Sequence, residues 1–306
     1  MQTFDASTDL AGLKLRNPVI TASGTYGFGQ AYTAYCPPTE LGAITLKGTT
    51  PLPRLGNPVP RLAETPSGLL NSVGLENPGL DVFLKDYLPE IRSLDTALIL
   101  NISGFSLEDY ALMASSFQLG CGIAALEVNI SCPNIKHGGM AFGTNPKSAE
   151  EAIAVVRRET DLPVIAKLSP NVTDITEMAK AVENGGADCV SLINTLLGMV
   201  IDIATQKPVL ANTMGGLSGP AVRPIAVRMV YQVYQAVKLP IIGMGGISTW
   251  EDAIEFMLAG ASAVSIGTAN FNDPTAPITI VNGIKNYCSA KGYHSIGEII
   301  GLAHRN

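Results

Sequence analysis

Ala124-Ala-Leu-Glu-Val-Asn-Ile-Ser-Cys132 and Pro163-Val-Ile-Ala-Lys-Leu-Ser169, separated by an amphipathic stretch at Pro146–Thr160, decide the fold class. Each flanking run is short, apolar and bounded by turn residues, which reads as a buried strand. The stretch between them repeats its apolar positions with helical spacing. Two strands joined by a helix form a parallel pair, because a parallel connection needs a long crossover. The same alternation extends in both directions. Further strands are predicted at Pro18–Ser23, Ala43–Thr49, Ala97–Ser103, Cys189–Thr195, Pro240–Ile247 and Ala263–Ala269, with Ala124–Cys132 and Pro163–Ser169 as the fourth and fifth. Helices are predicted at Leu107–Leu119, Pro146–Thr160, Asp174–Asn184, Pro220–Val237 and Trp250–Leu258. Their start signals are Ser106, Asn145-Pro146 and Ser248. Eight near-continuous apolar strands alternating with helices point to a closed (β/α)8 TIM barrel rather than an open sheet. The 306 residues suit one such domain spanning 1–306.

Composition narrows the function classes. Hydrophobic residues make up 46% and charged residues 15%, enough for a large buried core. A formal net charge of −6, with no basic tail or stripe, argues against nucleic acid or an anionic membrane as partner. Neither an export signal nor an apolar run of membrane-spanning length is evident. The five cysteines are scattered without a CxxC pair, which points to a reducing cytoplasm and to no metal site in this chain.

Two connections exceed what a barrel needs: 51–78 after the second strand and 196–219 after the sixth. Long structureless loops on the C-terminal face read as lids or binding loops; subunit contact or surface decoration is the alternative.

Polar residues that interrupt the apolar strands carry the chemistry. Lys47 ends one strand and Lys167 interrupts another. A buried ammonium needs a negative partner. That partner is either a neighbouring carboxylate, with Glu127 the one acid that stands out, or an anionic ligand. Asn101, Asn129 and Asn194 end three further strands, where an amide donates and accepts at once, or simply closes a loop. Gly243-Met-Gly-Gly246 and Gly267-Thr268 end the seventh and eighth strands, where barrel backbones commonly hold phosphate. Gly215-Gly-Leu-Ser-Gly219 adds a wall to the same place. Cys132 follows the fourth strand, among polar neighbours and ahead of a proline, and there a thiol serves as nucleophile or base. Cys189 and Cys121 read as inert buried thiols, and His137 as a solvated loop residue.

Taken together, Ile44-Thr-Leu-Lys47-Gly48, Asn71-Ser-Val-Gly-Leu75, Val128-Asn129-Ile-Ser-Cys132-Pro-Asn134, Lys167-Leu-Ser-Pro170, Ile193-Asn-Thr195, Gly215–Gly219, Gly245-Gly246-Ile247 and Ile266-Gly-Thr268 resemble the dihydroorotate dehydrogenases over nearly the whole chain. Cys132 resembles the soluble class 1 enzymes; the membrane-associated class has serine there. The loop from Asn134 to Pro146 looks like the NAD-linked subclass 1B rather than the fumarate-linked 1A. The resemblance implies oxidation of (S)-dihydroorotate to orotate in pyrimidine biosynthesis, with FMN in this chain and Cys132 as general base. It implies flavin contacts from Ser23, Lys47, Gly48, Asn101, Asn129, Lys167, Ile193, Gly219, Gly245, Gly246, Gly267 and Thr268. It assigns the substrate to Lys47, Asn71, Ser72, Val73, Gly74, Leu75, Asn129, Asn194 and Thr195. It also implies a partner subunit carrying FAD and a [2Fe–2S] cluster, two of each subunit forming a heterotetramer. The alternatives are a fumarate-linked homodimer, a cysteine-nucleophile barrel resembling IMP dehydrogenase without flavin, and a catalytically idle binding subunit.

Overall fold

A computed structural model of the chain describes residues 4–30, 32–131 and 142–305. Eight parallel strands close into a barrel. They are β1 (Val19–Thr21), β2 (Ala43–Thr49), β3 (Ala97–Ile102), β4 (Ala125–Asn129), β5 (Val164–Lys167), β6 (Cys189–Leu192), β7 (Ile241–Met244) and β8 (Ala263–Ile266). Each pairs in parallel with its neighbours in sequence, and β8 closes against β1. All eight lie within the predicted runs, which overshoot mainly at the C-terminal ends, where the chain leaves the sheet to build the barrel mouth.

Successive strand residues face opposite sides, so the burial pattern sorts each strand into two phases. Outward residues such as Leu98, Leu100, Leu126, Val128, Val164 and Val190 pack under the helices in the larger apolar cluster. Inward residues Ile20, Ala43, Ile99, Ala125, Ile165, Cys189, Ile242 and Ala263 fill the barrel together with Leu10 and Leu15. The two leucines come from an N-terminal hairpin, Thr8–Leu10 with Leu13–Leu15, that sequence reading did not foresee. Continuing the inward phase toward the C-terminal end gives Asn101, Glu127, Asn129, Lys167, Ser191 and Ser265. The polar interruptions thus occupy the end of the barrel opposite the apolar filling.

Helix starts follow capping chemistry. The Ser106 and Asn145 side chains accept from Asp109 N and Ser148 N, as expected. The third cap is Thr249 rather than Ser248. A cap must immediately precede the first helical residue, and Thr249 does so, forming a capping box with Asp252.

The two long connections are not structureless. Leu62–Thr65, Gly68–Asn71, Gly215–Ser218 and Leu196–Gly198 form one antiparallel sheet, in which the two connections pair through Leu70 and Leu217. Strands of three or four residues carry no period of their own, and their partners lie on a distant loop. A small core of Ala63, Leu70 and Leu210 holds the sheet together.

Candidate active site

The C-terminal ends of all eight strands surround a cavity of about 440 Å³, within the size range of small-molecule and cofactor sites. Every residue assigned above to flavin or substrate lies on its wall. Cys132 and His137 fall outside the described residues. Asn71 to Leu75 reach the cavity from the β2 connection; Ser218 and Gly219 reach it from the β6 connection.

The two lysines differ. Lys167 faces a carboxylate: its Nζ lies 3.7 Å from Glu127 Oε2, so the ion-pair alternative is realised there. Lys47 is half-buried, and burial pulls its pKa below the ordinary lysine range. Glu76 opposes that fall and Arg61 adds to it. Glu76 is itself paired with Arg61, so Lys47 keeps a cost of desolvation that an incoming anion would relieve.

The asparagines are partly occupied by the protein. Asn129 Nδ2 donates to Ser103 Oγ (3.1 Å), and its Oδ1 accepts from Ser131 N (3.2 Å) and Asn194 Nδ2 (3.4 Å). Asn194 also donates to Ser131 Oγ (2.9 Å), and its Oδ1 accepts from Thr195 N (2.8 Å). These bonds cross-link the ends of β4 and β6 where the chain enters Cys132. Gly143 N donates to Ile130 O at 2.7 Å, so the chain returns to the end of β4 after residues 132–141. The Asn71–Leu75 wall is braced from behind: Asn57 N donates to Val73 O, its Nδ2 donates to Ser72 O, and Asn77 Nδ2 donates to Leu75 O.

The glycines have two distinct reasons. A Cβ on Gly246, whose φ is +81°, would lie 2.8 Å from Gly219 O and 2.9 Å from Arg223 N. Close packing of the two loops therefore requires glycine there. A Cβ on Gly267 would meet only Ala22 Cβ, at 3.6 Å, so its backbone stays open to the cavity. Sequence reading missed Ser265. Its hydroxyl is buried on the cavity wall without a hydrogen-bond partner among the described residues, and the inward phase of β8 was the available signal. It also missed Ser131, Ser191 and Ser103, whose hydroxyls orient the asparagines and Glu127. Among the other cysteines, burial raises the thiols of Cys36 and Cys288 to about 11 and pushes that of Cys189 higher still. Cys121 is half-buried.

No helix among the described residues is long and apolar enough to cross a membrane. The family model described as dihydroorotate dehydrogenase matches residues 5–287. A protein of Desulforamulus reducens named "Dihydroorotate dehydrogenase B (NAD(+)), catalytic subunit" is 59% identical, covering 98% of this chain and 99% of its own length. Proteins of the same name from Geotalea daltonii and Bacteroides thetaiotaomicron are each 53% identical over 97% of this chain, and over 97% and 98% of their own lengths. With barrel, cavity and near full-length identity in agreement, the chain belongs to the dihydroorotate dehydrogenase family, alongside the catalytic subunits of its NAD(+)-linked branch.

Proposed function

We propose that this chain oxidises (S)-dihydroorotate to orotate in pyrimidine biosynthesis, as the catalytic subunit of an NAD-linked enzyme with FMN in the barrel-mouth cavity. The observation that carries the reading is the convergence of two lysines, three strand-end asparagines and the glycines that follow β7 and β8 on one cavity. The lining fits FMN. The unpartnered Ser265 hydroxyl and the Asn101 amide suit its polar ring edge, Lys167 suits charge gained on reduction, and the open Gly267 backbone suits its phosphate. When bound, FMN supplies the acceptor for the hydride lost from substrate C6.

The chain's own residues do the rest. Lys47 binds the substrate carboxylate, which restores the charge that burial disfavours. Asn71, Asn129, Asn194 and Thr195 hold the pyrimidine edge; the bonds that Asn194 makes to Asn129, Ser131 and Thr195, and that Asn71 makes to Gly216 O, fix that edge before substrate arrives. Cys132 takes the proton from C5 as a general base rather than adding covalently, because substrate oxidation requires loss of that proton. The braced Asn71–Leu75 wall and the sheet behind it exclude water.

A partner subunit carrying FAD and a [2Fe–2S] cluster would supply the route to NAD+, two of each subunit assembling in the cytoplasm. The relatives' name, "catalytic subunit", supports a partner, as do the apolar side chains that the long connections leave exposed, among them Leu55, Leu197 and Ile203. Expression with and without the electron-transfer subunit tests the subclass. NAD+ reduction by dihydroorotate should appear only with that subunit. Efficient fumarate reduction by the isolated chain would move it to the homodimeric subclass.

A further inference from the structure

Glu127 does not line the cavity, yet it touches two residues that do. Glu127 is 2% exposed, in the inward phase of β4 and below the cavity floor. Oε1 accepts from Ser191 Oγ of β6 at 2.8 Å; Oε2 accepts from Asn101 Nδ2 of β3 at 2.6 Å. Oε2 also lies 3.7 Å from Lys167 Nζ of β5, too far for a hydrogen bond but close for opposite charges. One carboxylate thus ties together four adjacent strands.

Two consequences follow for the cavity. Because one of the two Asn101 amide N–H groups is held by Glu127, the side chain has one orientation, with its carbonyl oxygen turned away from the carboxylate. A Cβ added at Gly48, a cavity residue, would lie 2.7 Å from that oxygen, so Asn101 Oδ1 sits over the β2 wall. And the Lys167 ammonium, itself nearly buried, has Glu127 as its counter-charge on the side away from the ligand.

We infer that Glu127 is a positioning residue: it orients Asn101 as an acceptor and holds the Lys167 ammonium in place beneath the flavin. The inference rests on the FMN reading above. A carboxylate acting through Lys167 differs from one that merely fills space, because its effect depends on Lys167 being present.

The test is a cycle of Glu127→Gln, Lys167→Met and the double variant, followed by two readouts. The first is the melting temperature of the flavin-free protein, which needs no cofactor. Glu127→Gln should lower it by about 6 °C or more, since it strands a buried ammonium, and the double variant should regain most of that loss. The second is the FMN dissociation constant, from quenching of flavin fluorescence. Glu127→Gln should weaken binding about tenfold in the native background and less than about twofold in the Lys167→Met background. Failure of Glu127→Gln to fold while the double variant folds also supports the coupling. Additive effects in both readouts overturn it, as does loss of folding in both variants that lack Glu127. If the native chain binds no FMN, the functional reading falls, while the melting cycle still reports on the Glu127–Lys167 pair.

Discussion

Lys47 and Lys167 share the inward phase of their strands but are answered differently. Lys167 has Glu127; Lys47 has only distant charges among the described residues, and burial lowers its pKa. The sign of the resulting pH effect is fixed. In the free enzyme Lys47 loses its proton at lower pH than an exposed lysine, and a bound carboxylate raises that pKa again. Between the two values, orotate binding must take up a proton, and affinity must fall as pH rises. Calorimetry in two buffers of different ionisation enthalpy should show this uptake at alkaline pH, and Lys47→Met should abolish it. Cys132 makes a separate prediction. A thiol with an ordinary pKa near ~8.5 acts as base only when ionised, so flavin reduction by dihydroorotate should speed up with rising pH. Cys132→Ala should slow that step by about 10²–10⁴-fold with little change in FMN content. A flat pH profile would rule the thiol out as base.

At the scale of elements, the antiparallel sheet from the two long connections brings to the cavity wall residues that no barrel strand carries, Asn71 and Ser218 among them. Gly216, in its Gly215–Ser218 strand, packs against Thr195 so closely that an added Cβ would collide with the Thr195 hydroxyl. Asn71 donates to Gly216 O from the neighbouring strand. Gly216→Ala should therefore raise KM for dihydroorotate about tenfold or more while leaving FMN content unchanged; equal loss of both would assign the sheet to folding alone. This sheet is also where sequence reading reached its limit. Lys47, Asn101 and Lys167 were legible because a polar residue breaks an apolar strand whose inward phase is known. Leu69 to Asn71 and Gly215 to Ser218 were legible only as loop, because their pairing partners are remote and their strands too short to show a period. Thr249 displaced Ser248 as a cap for a similar reason: both residues suit the role, and only geometry chooses between them.

For the whole molecule, the barrel follows from the alternation of short apolar runs and amphipathic helices, and its polar mouth follows from where the inward phase stops being apolar. What the residues alone left open was which anion the lysines serve. The family match now narrows that to the dihydroorotate dehydrogenases, and a net charge of −6 is no obstacle, because Lys47 and Lys167 act locally inside the cavity.

FMN in this cavity, reduced there by dihydroorotate, is what the proposed function requires. Anaerobic addition of dihydroorotate to the purified, FMN-loaded chain tests it most directly. Oxidised-flavin absorbance should be lost near-stoichiometrically with formation of orotate, without any partner subunit. Flavin that stays oxidised, or a chain that binds none, would contradict it.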